Sequence, residues 1–367
     1  MKPTLDLPDD PALPGLAAIK AQGVARAIPS LKMDEGPVEV RLCGYTQGER
    51  ATLEVRAGSG RVAIKAYATN PAAEAALYKA LNATELAAQS GICVPPLLFR
   101  IRKLRLIVLG WLEGPTVLHL IRRGEGERAG FVAARWFRRA ALLDQRFGRR
   151  RGAAYAMRKA SEGFPELGAA DPGLKAFAVA LSKILVRTRP GEGSPHLVHG
   201  TLYDRHILDL GDRTGVIDWQ RFGRGPLELD AGMFLATISR VAIRHEPLRE
   251  AVSQAQKAFR DGTAGLLDES ALAWHEAAAL VRLATKPLSI AGGERLRARG
   301  LADPQAVAIS RARTLLEEAA LVAEPVFREF ERIEPRIRAR LPVLEPNAPV
   351  RAETLKDQVQ SSMERIE

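Results

Sequence analysis

The feature that most constrains this chain is a change of hydrophobic period. Between Val38 and Tyr67 apolar and polar residues alternate, whereas beyond Gly114 helical spacing runs almost to the end. Val38-Glu-Val-Arg-Leu42 and Ala51-Thr-Leu-Glu-Val-Arg56 flank a turn at Cys43–Arg50. Gly58-Ser-Gly60 is a second turn, leading into Arg61-Val-Ala-Ile-Lys-Ala-Tyr67. Three short strands so joined predict an antiparallel meander. A helix is expected from Pro71 to Gln89, with Leu77, Leu81 and Leu86 among its apolar positions and Gly91 as its stop. Val94–Arg100 and Leu104–Leu109 predict two more strands. Gly110-Trp-Leu-Glu-Gly114 then punctuates the chain. The helical remainder is interrupted once, from Pro195 to Trp219, where short strands and a loop are expected. Strands first and helices afterwards make an α+β protein.

With 367 residues the chain has room for two cores. Residues 1–36, rich in Pro, Ala and Gly, read as an arm with a short helix. Residues 37–110 read as the sheet domain, 111–301 as a helical domain carrying the hairpin, 302–333 as a C-terminal helix and 334–367 as a mobile, mixed-charge tail. Leu315, Ala319, Val322, Val326, Phe330 and Ile333 form a stripe at helical spacing, either packed on the helical domain or offered to a second copy or a protein partner. No apolar run approaches the ~18 residues of a membrane span, and the N-terminus lacks a signal pattern. Cys43 and Cys93 make no metal motif or disulfide framework, so a cytoplasmic location is expected. The net charge of +11 is densest from Arg135 to Lys159. No zinc finger, basic zipper or aromatic RNA motif accompanies it, which argues against nucleic acid.

Two groups of residues carry chemistry. Val62-Ala-Ile-Lys65 places a lysine on a strand, and Glu74 stands early on the following helix as its ion-pair candidate, with Glu85 as the alternative. The second group is Leu197-Val-His-Gly-Thr-Leu-Tyr-Asp-Arg-His-Ile-Leu-Asp-Leu210, followed by Gly215-Val-Ile-Asp-Trp219 and Gly225-Pro-Leu-Glu-Leu-Asp230. His196, His199 and His206 have neither helical His-pair spacing nor a thiolate nearby, so they do not read as a metal site.

These motifs, in this order, resemble the aminoglycoside phosphotransferase and choline kinase family, over roughly residues 38 to 290. The resemblance implies a protein-kinase-like, two-lobed fold with a small antiparallel-sheet lobe and a larger helical one. It implies ATP and magnesium as cofactors, a small-molecule acceptor, Lys65 on the phosphates with Glu74 as its ion-pair partner in the cofactor site, and Asp218 as both cofactor-binding and metal-binding carboxylate. Asp230 resembles the buried carboxylate that ties down the catalytic loop, and His199 a structural member of that loop. The chain departs from the family at three places. Thr201 stands where the catalytic Asp belongs, and a neutral hydroxyl cannot act as its base, a loss worth ~10²–10⁴ in rate. His206 replaces an Asn, and an imidazole is a poor magnesium ligand. Only Gly44 and Gly48 remain to bring amides toward phosphates. The expectation is therefore an Mg-ATP-binding, catalytically impaired pseudokinase with a regulatory or scaffolding role. One alternative is an active kinase of a small hydroxylated metabolite or antibiotic that uses Asp204 as substitute base. The other is an anion- or nucleic-acid-binding protein.

Overall fold

The computed structural model describes residues 6–31, 37–83, 92–143, 147–298, 301 and 303–333. The chain divides into two compact units, Met1–Pro115 with His206–Gln220, and Thr116–Arg205 with Arg221–Glu367.

In the first unit the arm contains two helices, α1 (Pro14–Gln22) and α2 (Val24–Ala27), separated by Gly23 at φ 79°. Strands β1 (Val38–Thr46), β2 (Arg50–Ala57) and β3 (Gly60–Tyr67) follow, and the turn expected over Cys43–Arg50 is shorter, because β1 continues past a register shift at Leu42/Gly44 and pairs with β2 as far as Thr46 opposite Arg50. Helix α3 spans Ala72–Asn82, and the two-residue β4 is Ile92–Cys93. The rest of the helix expected to Gln89, with Leu86 and the alternative Glu85, lies outside the described residues. β5 (Leu97–Ile101) and β6 (Leu106–Gly110) complete a five-stranded sheet in the order β1-β2-β3-β6-β5. One face of this sheet is apolar. Leu53, Val55, Ile64 and Val108 pack there with Leu13, Leu16, Ile19 and Ile28 of the arm. The other face carries Lys65, because side chains alternate with a period of two. β3 runs antiparallel to β6, with Lys65 opposite Ile107.

The second unit opens with α4 (Val117–Arg122) and α5 (Gly126–Ala140). It continues through β7 (Arg149–Arg150), α6 (Ala153–Ser161), α7 (Phe164–Ala170), α8 (Pro172–Arg187) and β8 (His196–Val198). The hairpin expected to lie wholly in the helical domain is divided. β9 (Ile207–Asp209) and β10 (Thr214–Val216) belong to the first unit, where β10 pairs in parallel with β4 and antiparallel with β9. β11 (Gly223–Gly225) returns to the second unit and pairs with β8 and β7.

After β11 come α9 (Leu227–Arg244), α10 (Arg249–Thr263), α11 (Glu269–Ala284), α12 (Ile290–Arg297) and α13 (Pro304–Ile333). The core of this unit gathers Trp274, Ala278 and Val281 of α11 with Leu181 of α8 and Leu315, Leu316, Ala319, Ala323 and Val326 of α13. Of the C-terminal stripe, Leu315, Ala319 and Val326 are therefore buried within the chain, with Val322 partly buried against them. α5 and α10 approach closely because Gly126 and Gly130 have no side chain. A Cβ at these positions would meet the carbonyl oxygens of Ala251 and Ala255 at 2.0 and 2.2 Å. Among the described residues no helix is long and apolar enough to cross a membrane.

Candidate functional site

In the first unit, β3, α3 and the turn after β10 bring three side chains together. Lys65 Nζ donates to Glu74 Oε1 at 2.6 Å and to Asp218 Oδ1 at 2.8 Å. Lys65 and Glu74 are almost wholly buried, while Asp218 keeps 29% of its side chain exposed. Burial pushes the Lys65 ammonium toward losing its proton, but the Asp218 and Glu74 carboxylates outweigh this and hold it well above its ordinary range. The lysine is thus a fixed cation at the edge of a water-accessible carboxylate. Tyr67, two residues along β3 and so on the same face, donates its hydroxyl to Glu74 Oε2 at 2.7 Å. No motif marks Tyr67, although the period of the strand places it there. Asp218 adopts φ 70°, a left-handed conformation that costs an L-residue on the order of 1–3 kcal/mol and is concentrated at functional sites.

His206 Nε2 lies 3.5 Å from Asp218 Oδ2. The water-accessible carboxylate of the site therefore stands beside an imidazole. Mg²⁺ binds through one or two carboxylates plus substrate phosphates, so Asp218 fits that ion. The imidazole of His206 does not. Among the described residues no three His, Cys, Asp or Glu side chains gather as a metal site.

Gly48, expected to face a phosphate, has a partner within its own unit. Its N–H donates to Asp10 Oδ2 at 2.8 Å, and the Tyr45 hydroxyl donates to the same oxygen at 3.0 Å. The Gly48 amide chiefly, with the Tyr45 hydroxyl and Ala12 amide, holds the Asp10 carboxyl below its usual range against the opposing effect of burial. Asp10 of the arm thus pins the β1–β2 turn, a contact no local motif announces.

In the second unit, β8 delivers the loop that holds His199, Gly200, Thr201 and Asp204. Asp230, on the first turn of α9, accepts the His199 N–H at 2.5 Å and the Gly200 N–H at 2.8 Å. Gly200 has φ 77°, and a Cβ there would lie 2.1 Å from the Arg221 carbonyl oxygen, so glycine is required at this bend. Burial raises the Asp230 carboxyl to about 7 although the His199 and Gly200 amides favour its charged form. Thr201 is buried. Asp204 is 3% exposed; its Oδ1 accepts the Arg205 N–H and its own N–H donates to Thr237 Oγ1. Burial raises its pKa, with Arg240 and Arg205 opposing. The ring of neighbouring Tyr203 carries the Arg205 guanidinium at 4.5 Å. This unit also holds a cavity of about 370 Å³ whose wall includes Glu228, Asp268 and His275. Two of these carboxylates serve the start of α11: Asp268 caps it, and Glu228 accepts the Asp268 N–H.

Of the residues singled out in the sequence, then, Lys65, Glu74, Asp218 and His206 come together in the first unit, where Gly48 sits apart on Asp10. His199, Thr201 and Asp204 share the loop of the second.

A five-stranded sheet with its lysine and helix, followed by a helical unit with an Asp-anchored loop, defines a kinase-like fold. Solved structures of that fold resemble the chain at low identity. One is a thermostable mutant of aminoglycoside phosphotransferase APH(4)-Ia in a ternary complex with ADP and hygromycin B, 14% identical, covering 76% of this chain and 93% of that one at a TM-score of 0.50. Others are choline kinase LicA from Streptococcus pneumoniae, at 11% identity, 80% and 97% coverage and TM-score 0.52, and a choline/ethanolamine kinase family protein from Mesorhizobium loti, at 18%, 82% and 96%, and 0.50. No curated protein matches the chain. The model of the phosphotransferase enzyme family matches residues 46–280, and the chain belongs to that family.

Proposed function

We propose that this protein binds Mg-ATP through Lys65, Glu74 and Asp218 and is catalytically impaired, acting as a pseudokinase in regulation or scaffolding. The observation that carries this reading is the contrast between its two motifs. The Lys65–Glu74–Asp218 cluster is complete and buried around its lysine, whereas Thr201 occupies the position of the base. Lys65 neutralises and positions phosphate oxygens. Asp218 would hold the magnesium ion, which would supply further charge neutralisation. Glu74, itself fixed by Tyr67, keeps the lysine extended. Retention of the loop's Asp230 anchor supports preservation of a fold whose chemical step has been dropped.

The alternative, an active kinase of a small hydroxylated molecule, needs Asp204 to act as base. Its burial and its bond to the Arg205 amide favour a structural carboxylate. Phosphoryl transfer draws most of its catalysis from positioning and charge, so the decisive experiment measures binding and turnover together. Calorimetry with ATP and magnesium is expected to show binding that is lost in Lys65→Ala and Asp218→Ala. Wild type is expected to hydrolyse ATP at background, and Thr201→Asp to hydrolyse it measurably. Absence of binding at millimolar nucleotide refutes the nucleotide reading. Brisk wild-type turnover that disappears in Asp204→Asn refutes the impaired one.

A further inference from the structure

The face of the sheet that carries Lys65 continues beyond it. Lys65, Ala63 and Arg61 alternate along β3, and the register sets Thr52, Glu54 and Arg56 of β2 opposite them. Arg41 of β1 stands opposite Glu54. Glu54 is 2% exposed and lies at the centre of a fan of guanidinium groups. Its Oε1 accepts Arg56 Nε at 2.6 Å and Arg61 Nε at 2.7 Å, and its Oε2 accepts Arg41 Nε at 2.7 Å. Burial alone would raise the Glu54 pKa, but the Arg41, Arg56 and Arg61 hydrogen bonds hold it at about 2, so the fan stays ionised. Arg61 is fixed further. Its guanidinium lies 4.0 Å over the Trp111 ring, and its Nη1 donates to Glu113 Oε1 at 2.5 Å. Glu113 keeps 69% of its side chain exposed, against 22% for Arg61.

These positions bear on any ligand whose phosphates rest on Lys65. At one end of the face Tyr67 and Glu74 are bonded to each other and close it. The open direction runs toward Arg61, four residues away and so about 13 Å along the strand, a span suited to a nucleoside. The surface reached there is charged rather than apolar. A guanidinium only donates hydrogen bonds and a carboxylate only accepts them. Guanine presents acceptors at O6 and N7 and donors at N1 and the 2-amino group, which complements an arginine beside a glutamate. Adenine puts an amino donor where the arginine needs an acceptor, and a ring nitrogen where the carboxylate needs a donor.

From this we infer that Arg61 and Glu113 read the base of the phosphate donor and that they select a guanine nucleotide over an adenine one. This rests on the nucleotide reading of Lys65 and narrows it. The test is calorimetric titration of the full chain with Mg-GTP and Mg-ATP side by side. GTP is expected to bind roughly tenfold more tightly, the discrimination one good arginine–guanine pair provides. In Glu113→Ala, a position with 69% of its side chain exposed, most of that preference should vanish. Arg61→Lys should lower it too, since an ammonium cannot bind two base atoms side by side. ATP binding as tightly as GTP, or a preference unchanged in Glu113→Ala, overturns the inference and leaves the Lys65 site standing. Binding of neither nucleotide overturns both.

Discussion

Asp230 offers the sharpest test of how the loop before Thr201 is held. Its carboxylate receives the main-chain N–H groups of His199 and Gly200, in a place where His199 is fully buried. Asp230→Ala removes both acceptors at once. Each buried donor left without a partner costs ~1–3 kcal/mol, so the pair predicts a loss of about 2–6 kcal/mol. Asp230→Asn keeps one oxygen but sets an amide donor toward the other N–H, and should lose about half as much. Gly200 cannot move away to find another partner, because its positive φ and its approach to the Arg221 carbonyl fix the bend. Urea unfolding followed by circular dichroism measures the differences from midpoints and slopes. An Asp230→Ala protein within ~0.5 kcal/mol of wild type would show that the carboxylate is not what holds the loop.

The remaining expectations concern pH, packing and the lysine cluster. Asp230 and Glu276 are both raised to about 7 by burial, from ordinary values of 3.8 and 4.5. The folded protein therefore binds more protons than the unfolded chain between about pH 4 and 7, and their contribution to stability is lost as pH rises through that window. A pH series of urea midpoints should show this decline, made shallower by Asp230→Asn and by Glu276→Gln. Gly130→Ala drives a methyl group into the Ala255 carbonyl, and overpacking of that kind predicts a loss of about 1–3 kcal/mol in the same assay. Tyr67→Phe removes a single buried hydrogen bond to Glu74, so its stability should fall by only about 0.5–1.5 kcal/mol.

Much of this protein could be read before any coordinate was known. Alternation at Val38–Tyr67 drew three strands, since a half-buried sheet face imposes a period of two whatever surrounds it. The Val-Ala-Ile-Lys strand and the spacing from His199 through Asp218 to Asp230 identified the family, because short motifs fix both a backbone path and a chemistry. The charge fan was written in the same alternation, as Arg41, Glu54, Arg56 and Arg61, but an isolated strand does not say which neighbour lies opposite. Register decided that Glu54 sits among three arginines. Tertiary structure also decided that the Gly48 amide faces Asp10, that Leu315, Ala319 and Val326 of the C-terminal stripe are buried in the core shared with α8 and α11, and that residues 206–220 join the sheet unit. Each of these joins residues far apart in the chain. Local sequence encodes the conformation of a segment and the face it must bury, whereas the choice of partner depends on every other segment competing for that face.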